Sequence, residues 1–413
     1  MRGPLSARAL ARIESCEDAR ARARGILPKA LFGYVDNGAE DELTLARNVA
    51  AFQELRFRPR MGVENPRPDL RTSLFGSELA FPVLTAPCGA MRLVHPEGDL
   101  GVALAAGRAG TIYVASSVSG FSLEEIAAVA GPRWFQLYRF RNRDYMESLV
   151  VRAQEAGYGA LVVTVDTTVG GNREKDRKNG YANDVFRVNL RNALRMGPQV
   201  ARRPGWFYRY WRDGMPSIVA NSLAFTAAHG PIGLTAMTSP SEESMSPSFD
   251  DIVRIRAMWK GPLLVKGILT AEDALRSAAL GADGVIVSNH GGRQLDGAPA
   301  TVEVLPDIVA AVGGSMEVLL DSGVRRGTDV VKALALGAKA VLVGRCAVYG
   351  LAVGGQAGVE RMLSILRADL ERTMRLMGCR SVADLDPTWI HSPAGPRLAA
   401  SSDFGTGPVS GRP

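Results

Sequence analysis

The sequence predicts an α/β chain closed into a (β/α)8 barrel, with helices ahead of it and one long insertion after the fourth strand. Three observations carry this. Eight short apolar runs recur between about residues 82 and 344, each of strand length and apolar on both faces, the pattern of parallel strands covered by helices. Segments rich in Ala, Leu and Glu lie between most of them, and several end at a glycine before the next run, at Gly157, Gly281 and Gly337. No GxGxxG pattern follows an early run, which argues against an open dinucleotide-binding sheet.

Taken in order, residues 1–80 read as helices and a cap. Residues 1 to about 25 are predicted helical, and Ile26-Leu27-Pro28-Lys29 breaks that helix. A second opens at Leu31-Phe32-Gly33-Tyr34-Val35 and closes at Asn37-Gly38. A third is expected over residues 39–52, with Asp41 and Glu42 in its first turn. Residues 57–79 are rich in Pro and Arg and read as loop with short strands. The barrel is expected over 81–392, its strands centred on Val83-Leu84-Thr85, Ile112-Tyr113-Val114, Phe135-Gln136-Leu137, Val162-Val163-Thr164, Leu264-Val265-Lys266, Val285-Ile286-Val287, Val318-Leu319-Leu320 and Val341-Leu342-Val343. A closing helix is expected over 358–377, and residues 393–413 form a tail of Ala, Gly, Ser and Pro expected to be disordered.

The alternation breaks once, at the insertion 172–248. Its centre, 187–212, mixes Arg187, Arg191, Arg195, Arg202, Arg203, Arg209 and Arg212 with Trp206, Phe207, Tyr208, Tyr210 and Trp211. Two readings stand: a solvated or oligomer-contacting face, or peripheral contact with an anionic membrane surface.

Composition bounds the function. In 413 residues, 46% hydrophobic content is enough for a sizeable core. A net charge of +7 favours anionic partners such as acidic substrates, phosphates or a membrane surface. Nucleic acid is not expected, because zinc-finger spacing, an aromatic RNA-binding signature and a recognition helix are all missing. Cys16, Cys88, Cys346 and Cys379 show no pairing pattern, which suits a reducing compartment and speaks against a disulfide scaffold or a metal site. No signal peptide and no run of about 18 apolar residues is evident, so the expected location is cytoplasmic, with peripheral contact on the inner face of the membrane as the variant.

Chemistry-bearing residues collect where the strands end, the face on which such barrels keep their sites. Gln136 and Tyr138 lie on the third strand, Asp166 ends the fourth and Lys266 the fifth. Ser288-Asn289-His290-Gly291-Gly292-Arg293-Gln294-Leu295-Asp296 follows the sixth; a His there can take a proton and an Arg can grip a carboxylate with two hydrogen bonds. Asp321-Ser322-Gly323-Val324-Arg325 follows the seventh and Gly344-Arg345 the eighth, where such barrels hold phosphate; a tight turn is the plainer reading of either glycine alone. A buried Lys266 needs an anionic partner: a phosphate, a carboxylate or an electron-rich ring. Asp166 reads equally as an orienter of His290 or as a helix N-cap. Cys88 reads as a small buried thiol and His95 as structural.

These motifs together resemble the FMN-dependent α-hydroxy acid oxidases and dehydrogenases, a family that includes glycolate oxidase, lactate oxidase and mandelate dehydrogenase. The resemblance spans roughly residues 25–390 and rests on LPKALFGYVDNGAEDELTL, RFRPR, HPEGD, FQLY, TVDT with Arg173, LVKG, SNHGGRQLD and DSGVRRGTDVVKALALGA ending in GR. It implies a TIM barrel with FMN at its mouth. It implies His290 as the base, Tyr138 bonding the substrate hydroxyl, Asp166 steadying the imidazolium, and Arg173 with Arg293 on the carboxylate. Ser116, Gln136, Thr164 and Ser288 would bond the flavin ring and Lys266 would face its electron-rich edge. Pro87, Cys88 and Gly89 would lie beside the ring. Arg325, Gly344 and Arg345, with backbone of the Asp321–Gly323 loop, would hold the phosphate. A homotetramer is implied too.

Three departures from the family pattern follow. Phe32 stands where the family often has a carboxylate-binding Tyr, so one substrate bond is missing unless Tyr34 or water supplies it. Val118 and Gly170 replace bulkier residues, which enlarges the pocket for an aryl or long-chain side chain. Gly89 resembles dehydrogenase members, favouring a quinone or protein acceptor over O2. The expected function is FMN-dependent oxidation of a 2-hydroxy acid, with a bulky side chain, to the 2-keto acid. The alternatives are an FMN oxidase of a natural-product or peptide-derived hydroxy acid or amine and, from another class, a non-redox phosphate-binding isomerase or lyase.

Overall fold

The computed structural model describes residues 7–64, 67–140, 142–180, 190–214, 220–222, 225 and 247–391, with no side-chain description for 190–195. Eight parallel strands close into the expected barrel: β1 (Val83–Thr85), β2 (Tyr113–Ser116), β3 (Arg133–Leu137), β4 (Leu161–Thr164), β5 (Leu263–Ile268), β6 (Gly284–Val287), β7 (Glu317–Leu320) and β8 (Ala340–Val343). β8 pairs back onto β1, with Val341 opposite Val83 and Val343 opposite Thr85. The runs lack polar alternation because both strand faces are covered. Leu84, Val114, Val162, Leu264, Ile286 and Leu342 fill the barrel interior. Val83, Phe135, Val163 and Val265 pack outward under the helices. A hairpin of Thr72–Leu74 and Ser77–Leu79 plugs the N-terminal end, its Phe75 ring 5.8 Å from Trp134. The open mouth is therefore the end where the strands finish.

β5 carries one irregularity that matters there. Its register slips between Lys266 and Ile268. Gly267, at φ 106°, sits in the slip, and a Cβ on it would stand 2.6 Å from the Asp166 Cβ. Only glycine lets the Asp166 side chain lie across the strand.

The N-terminal segment forms α1 (Ala7–Ala11), α2 (Cys16–Ile26), α3 (Lys29–Asp36) and α4 (Leu43–Glu54). Two boundaries differ from expectation. The first helix is two, because the Ser15 hydroxyl accepts from the Asp18 N–H and starts α2 afresh. α4 begins at Leu43, leaving Asp41 and Glu42 outside it. Ala39 and Glu40 instead donate backbone bonds to Gly292 and Asn172, and Glu40 and Glu42 take positive φ. The α4 N-terminus is capped from afar: Asp296 accepts from Leu43 N at 3.1 Å and Thr44 N at 2.8 Å.

The closing helix spans Arg345–Met377, starting well before Gly358, and is broken at Gly354 and Gly355. Gly355 takes φ 60°, and a side chain there would strike the Glu97 carboxylate, which accepts from Gln356 N and restarts the helix. Cys16 and Cys346 are joined by a disulfide, Cα atoms 5.4 Å apart, which corrects the expectation of unpaired cysteines; Cys88 and Cys379 are free thiols. The two partners are 330 residues apart, so only the closed fold brings them together.

In the insertion the described helices are Glu174–Lys178, Leu190–Ala201 and Pro204–Arg212. Arg187, the side chains of Arg191 and Arg195, and the expected disordered tail lie outside the described residues. Trp206 is buried, its indole N–H donating to Leu93 O at 2.8 Å, and Tyr210 stacks on it at 5.3 Å. Phe207, Tyr208 and Trp211 on the same helix are exposed. Among the described residues no helix is long and apolar enough to cross a membrane.

Candidate active site

His290 follows β6 with a left-handed backbone, φ 58°. Ser288 Oγ accepts its N–H at 3.1 Å, and the next N–H, of Gly291, donates to Ser322 Oγ at 2.9 Å. These bonds aim the ring into the mouth. Its Nδ1 lies 2.9 Å from Asp166 Oδ1, and its Nε2 lies 3.4 Å from the Tyr138 hydroxyl. Asp166 thus lies against the His290 ring, and Arg173, not Asp166, precedes the next helix. Burial alone would raise the Asp166 carboxyl, but His290 and Lys266 outweigh it and hold it below its usual value. Burial pushes the Tyr138 phenol well up, with Asp166 adding to the effect, so Tyr138 stays a hydroxyl donor.

Beside this line stand the cations for a carboxylate. The Arg293 guanidinium lies 5.1 Å from the Tyr34 ring centre and donates to Tyr34 O at 2.5 Å and Asn37 O at 3.2 Å. Burial raises the Tyr34 phenol, while Arg293 and Arg173 nearby oppose the rise. The Tyr34 hydroxyl donates to Gly89 O at 3.3 Å. Phe32 is absent from this group: it is buried, its ring 6.4 Å from Tyr349. The expectation that Phe32 fills a substrate position is thereby corrected, and Tyr34 occupies the mouth. Gln294 ties the two catalytic loops. Its Nε2 donates to Asp166 O and Val169 O, each at 2.9 Å, and its Oε1 accepts from Gly171 N at 3.1 Å. Sequence reasoning places Gln294 within a motif and gives it no role.

A second polar set lines the ends of β2, β3 and β4. Ser116 Oγ donates to Gln136 Oε1 at 3.3 Å, and Gln136 Nε2 donates to Thr164 Oγ1 at 2.9 Å, all buried. Lys266 reaches Ser288 Oγ at 2.8 Å and Asp321 Oδ2 at 3.1 Å. Burial would lower the Lys266 ammonium, yet Asp321 and Asp166 hold it above its usual value, so it is charged. Its anionic partner is therefore a carboxylate already in the protein. Cys88 is half-buried, and desolvation pushes its thiol up to about 11, so it is no nucleophile near neutral pH. Gly344 and Cys88 are neighbours: a Cβ on Gly344 would stand 3.5 Å from the sulfur. Pro87 and Gly89 flank Cys88 on the loop after β1.

Arg345 is half-buried and donates to Gly291 O, Val35 O and Asn37 O at 2.8 to 3.0 Å. Burial, and after it the charge of Arg325, push its guanidinium down to about 10. Two arginines close enough to repel, beside Gly323 at φ 90°, whose missing side chain lets Asn48 approach, form a cradle that an anion completes. A flavin phosphate fits this donor set, and the amide and hydroxyl row of Ser116, Gln136, Thr164 and Ser288 fits the edge of a planar heterocycle.

The FMN-dependent dehydrogenase family matches residues 23–392. The chain belongs to that family. It is an FMN-dependent oxidoreductase of the 2-hydroxy acid oxidase and dehydrogenase type, and the non-redox isomerase or lyase alternative falls away. The chain is 42% identical to the L-lactate oxidase of Nostoc sp., over 89% of this chain and 95% of that one. It is 39% identical to the (S)-mandelate dehydrogenase of Pseudomonas putida, over 91% and 93%. Among solved structures, that of the monotopic membrane protein (S)-mandelate dehydrogenase superposes with a TM-score of 0.82 at 37% identity, covering 92% of this chain and all of the other.

Proposed function

We propose that the protein oxidises a 2-hydroxy acid with a bulky side chain to the 2-keto acid, with His290 as base. The observation that carries the reading is the line Asp166–His290–Tyr138 beside Arg293, Tyr34 and Arg173. FMN, when bound, accepts the hydride from the substrate Cα. Arg293 and Arg173 pair with the carboxylate, joined by the Tyr34 hydroxyl, and so orient Cα. Asp166 accepts from His290 Nδ1–H and leaves Nε2 free to take the hydroxyl proton. The imidazolium so formed is paired with a carboxylate already held in its charged form. Tyr138 donates to the developing alkoxide. Ser116, Gln136, Thr164 and Ser288 would hold the ring, with Pro87, Cys88 and Gly89 alongside, and Lys266 would favour its reduced, negatively charged state. Arg325 and Arg345, with the backbone of Asp321, Gly323 and Gly344, would hold the phosphate.

Gly170 is exposed and a Cβ there would meet nothing within 4 Å, so this position sets no limit on the size of a side chain beside it. Gly89 and Val118 are in contact, a Cβ on Gly89 lying 3.3 Å from the Val118 Cβ, so neither can grow without moving the other. Gly89 also supports a quinone or protein acceptor in preference to O2. The exposed Phe207, Tyr208 and Trp211, with Arg202 and Arg212 exposed on the same segment, support peripheral contact with an anionic membrane, where a quinone would be reached. The test is anaerobic addition of glycolate, lactate, mandelate and long-chain 2-hydroxy acids to the yellow protein. Loss of the flavin band near about 450 nm with a bulky acid, and slow return in air, is expected. A yellow protein bleached by none of them overturns the substrate class.

A further inference from the structure

One residue at the end of α3 touches the surroundings of both arginines assigned to the carboxylate. Asn37 follows the last helical residue, Asp36. Its carbonyl accepts from Arg293 Nη1 at 3.2 Å and from Arg345 Nη2 at 3.0 Å. Its side-chain Nδ2 donates to Asp176 Oδ1 at 2.8 Å. The Asp176 side chain is 3% exposed, and its Oδ2 lies 4.0 Å from Arg173 Nη1. That oxygen is buried without a hydrogen-bond partner among the described residues. Gly33 leaves room for the arrangement: a Cβ there would stand 2.8 Å from Asn37 Nδ2.

We propose that Asn37 is a positioning residue that sets Arg173 against Arg293, by holding Asp176 with its side chain and Arg293 with its carbonyl. This rests on the reading of those arginines as carboxylate ligands. The physics turns on the Asp176 carboxylate. With one oxygen held by the Asn37 amide, it meets Arg173 at the edge of ion-pair distance and does not take up the guanidinium's hydrogen-bonding fork. Without the amide, both Asp176 oxygens are unsatisfied in a buried place, and the remedy within reach is a bidentate pair with Arg173. That pair competes with the substrate carboxylate for the same fork. An uncharged donor of this length satisfies one Asp176 oxygen without neutralising the carboxylate, so Asp176 still orients Arg173.

The experiment compares the FMN-loaded wild type with Asn37→Ala, Asp176→Asn and the double variant. Binding of oxalate is read from perturbation of the flavin spectrum, and the limiting rate of flavin reduction is read with lactate and mandelate. The expected result for Asn37→Ala is oxalate affinity weakened about tenfold with the limiting rate changed less than about threefold. The double variant should bind oxalate no worse than Asp176→Asn alone, because the competing charge is gone. Mandelate methyl ester, which lacks the charge, should be bound equally by wild type and Asn37→Ala. If Asn37→Ala gives no folded flavoprotein, Asn37→Ser replaces it with the same expectations. Unchanged oxalate affinity, additive losses in the double variant, or equal losses for acid and ester each overturn the proposal. A wild type that no 2-hydroxy acid reduces overturns the functional reading and this one with it, whereas a wild type that is reduced isolates the failure to Asn37.

Discussion

The Asp166 carboxylate holds the His290 ring from behind, Oδ1 2.9 Å from Nδ1, while the opposite ring nitrogen faces the Tyr138 hydroxyl at 3.4 Å. One proton-accepting nitrogen is thereby turned to the mouth. Asp166→Asn keeps the shape and removes the charge behind the imidazolium. Flavin reduction at saturating acid should slow by about 10²- to 10⁴-fold, and His290→Gln by at least as much. Stopped-flow absorbance under anaerobic conditions checks this; a loss under about tenfold in both variants would rule out His290 as the base.

Tyr34 and Phe32 are two residues apart on α3 and face different surroundings. Tyr34→Phe should weaken binding of the acid about five- to tenfold through loss of one hydrogen bond to a charged group. Phe32→Tyr, which places a hydroxyl in the core beside Tyr349, should lower thermal stability and leave the Michaelis constant of a folded enzyme unchanged. Steady-state kinetics with a melting curve separates the two.

Gly170→Leu tests whether this exposed position borders the substrate side chain. The space around Gly170 is open, so the new side chain can be accommodated by the fold. Turnover of mandelate should fall more than about tenfold relative to lactate, the weight of a lost apolar fit. An unchanged mandelate-to-lactate ratio of kcat/KM would mean that Gly170 does not face the substrate side chain.

Asp99 makes folding pH-dependent. Its carboxyl is buried, accepts from the Tyr113 hydroxyl at 2.9 Å and Gly120 N at 3.1 Å, and is pushed up to about 6 by burial despite those donors. A carboxyl raised on folding binds its proton more tightly in the folded chain. Its contribution is fully present below the unfolded value, 3.8, and is lost as pH rises to about 6. Asp99→Asn cannot titrate and should flatten that part of the stability profile. Urea midpoints from pH 4 to pH 7 measure it; parallel profiles would assign the slope elsewhere.

Phe207 and Trp211 lie one turn apart on the outer side of helix Pro204–Arg212. The double variant Phe207→Ser, Trp211→Ser should lose flotation with vesicles containing phosphatidylserine and keep full lactate or mandelate oxidation. A wild type that does not float with such vesicles rejects the membrane face.

The strands were legible because burial on both faces writes a short apolar run, repeated eight times between helical segments. The strand-end residues followed, since a barrel exposes one end of every strand to one mouth. Helix starts were less legible: α4 begins where Asp296, far along the chain, offers its carboxylate, and the last helix breaks where Glu97 does. That Tyr34 and not Phe32 lies at the mouth has a geometric cause. Two residues turn a helix by about 200°, so only the packed structure says which ring looks into the mouth. Gln294 bonds backbone groups and Gly267 permits a close approach, and neither leaves a compositional mark. The disulfide lay beyond reach because its partners share no local pattern.

That disulfide closes residues 16–346 into a ring. A protease cut anywhere between Cys16 and Cys346, including throughout the insertion, leaves one molecule on a non-reducing gel and two fragments after thiol treatment. The last barrel strand and the helices over its mouth therefore cannot drift apart when the polypeptide is nicked, and a nicked enzyme keeps Arg345 tethered to the N-terminal cap that receives it.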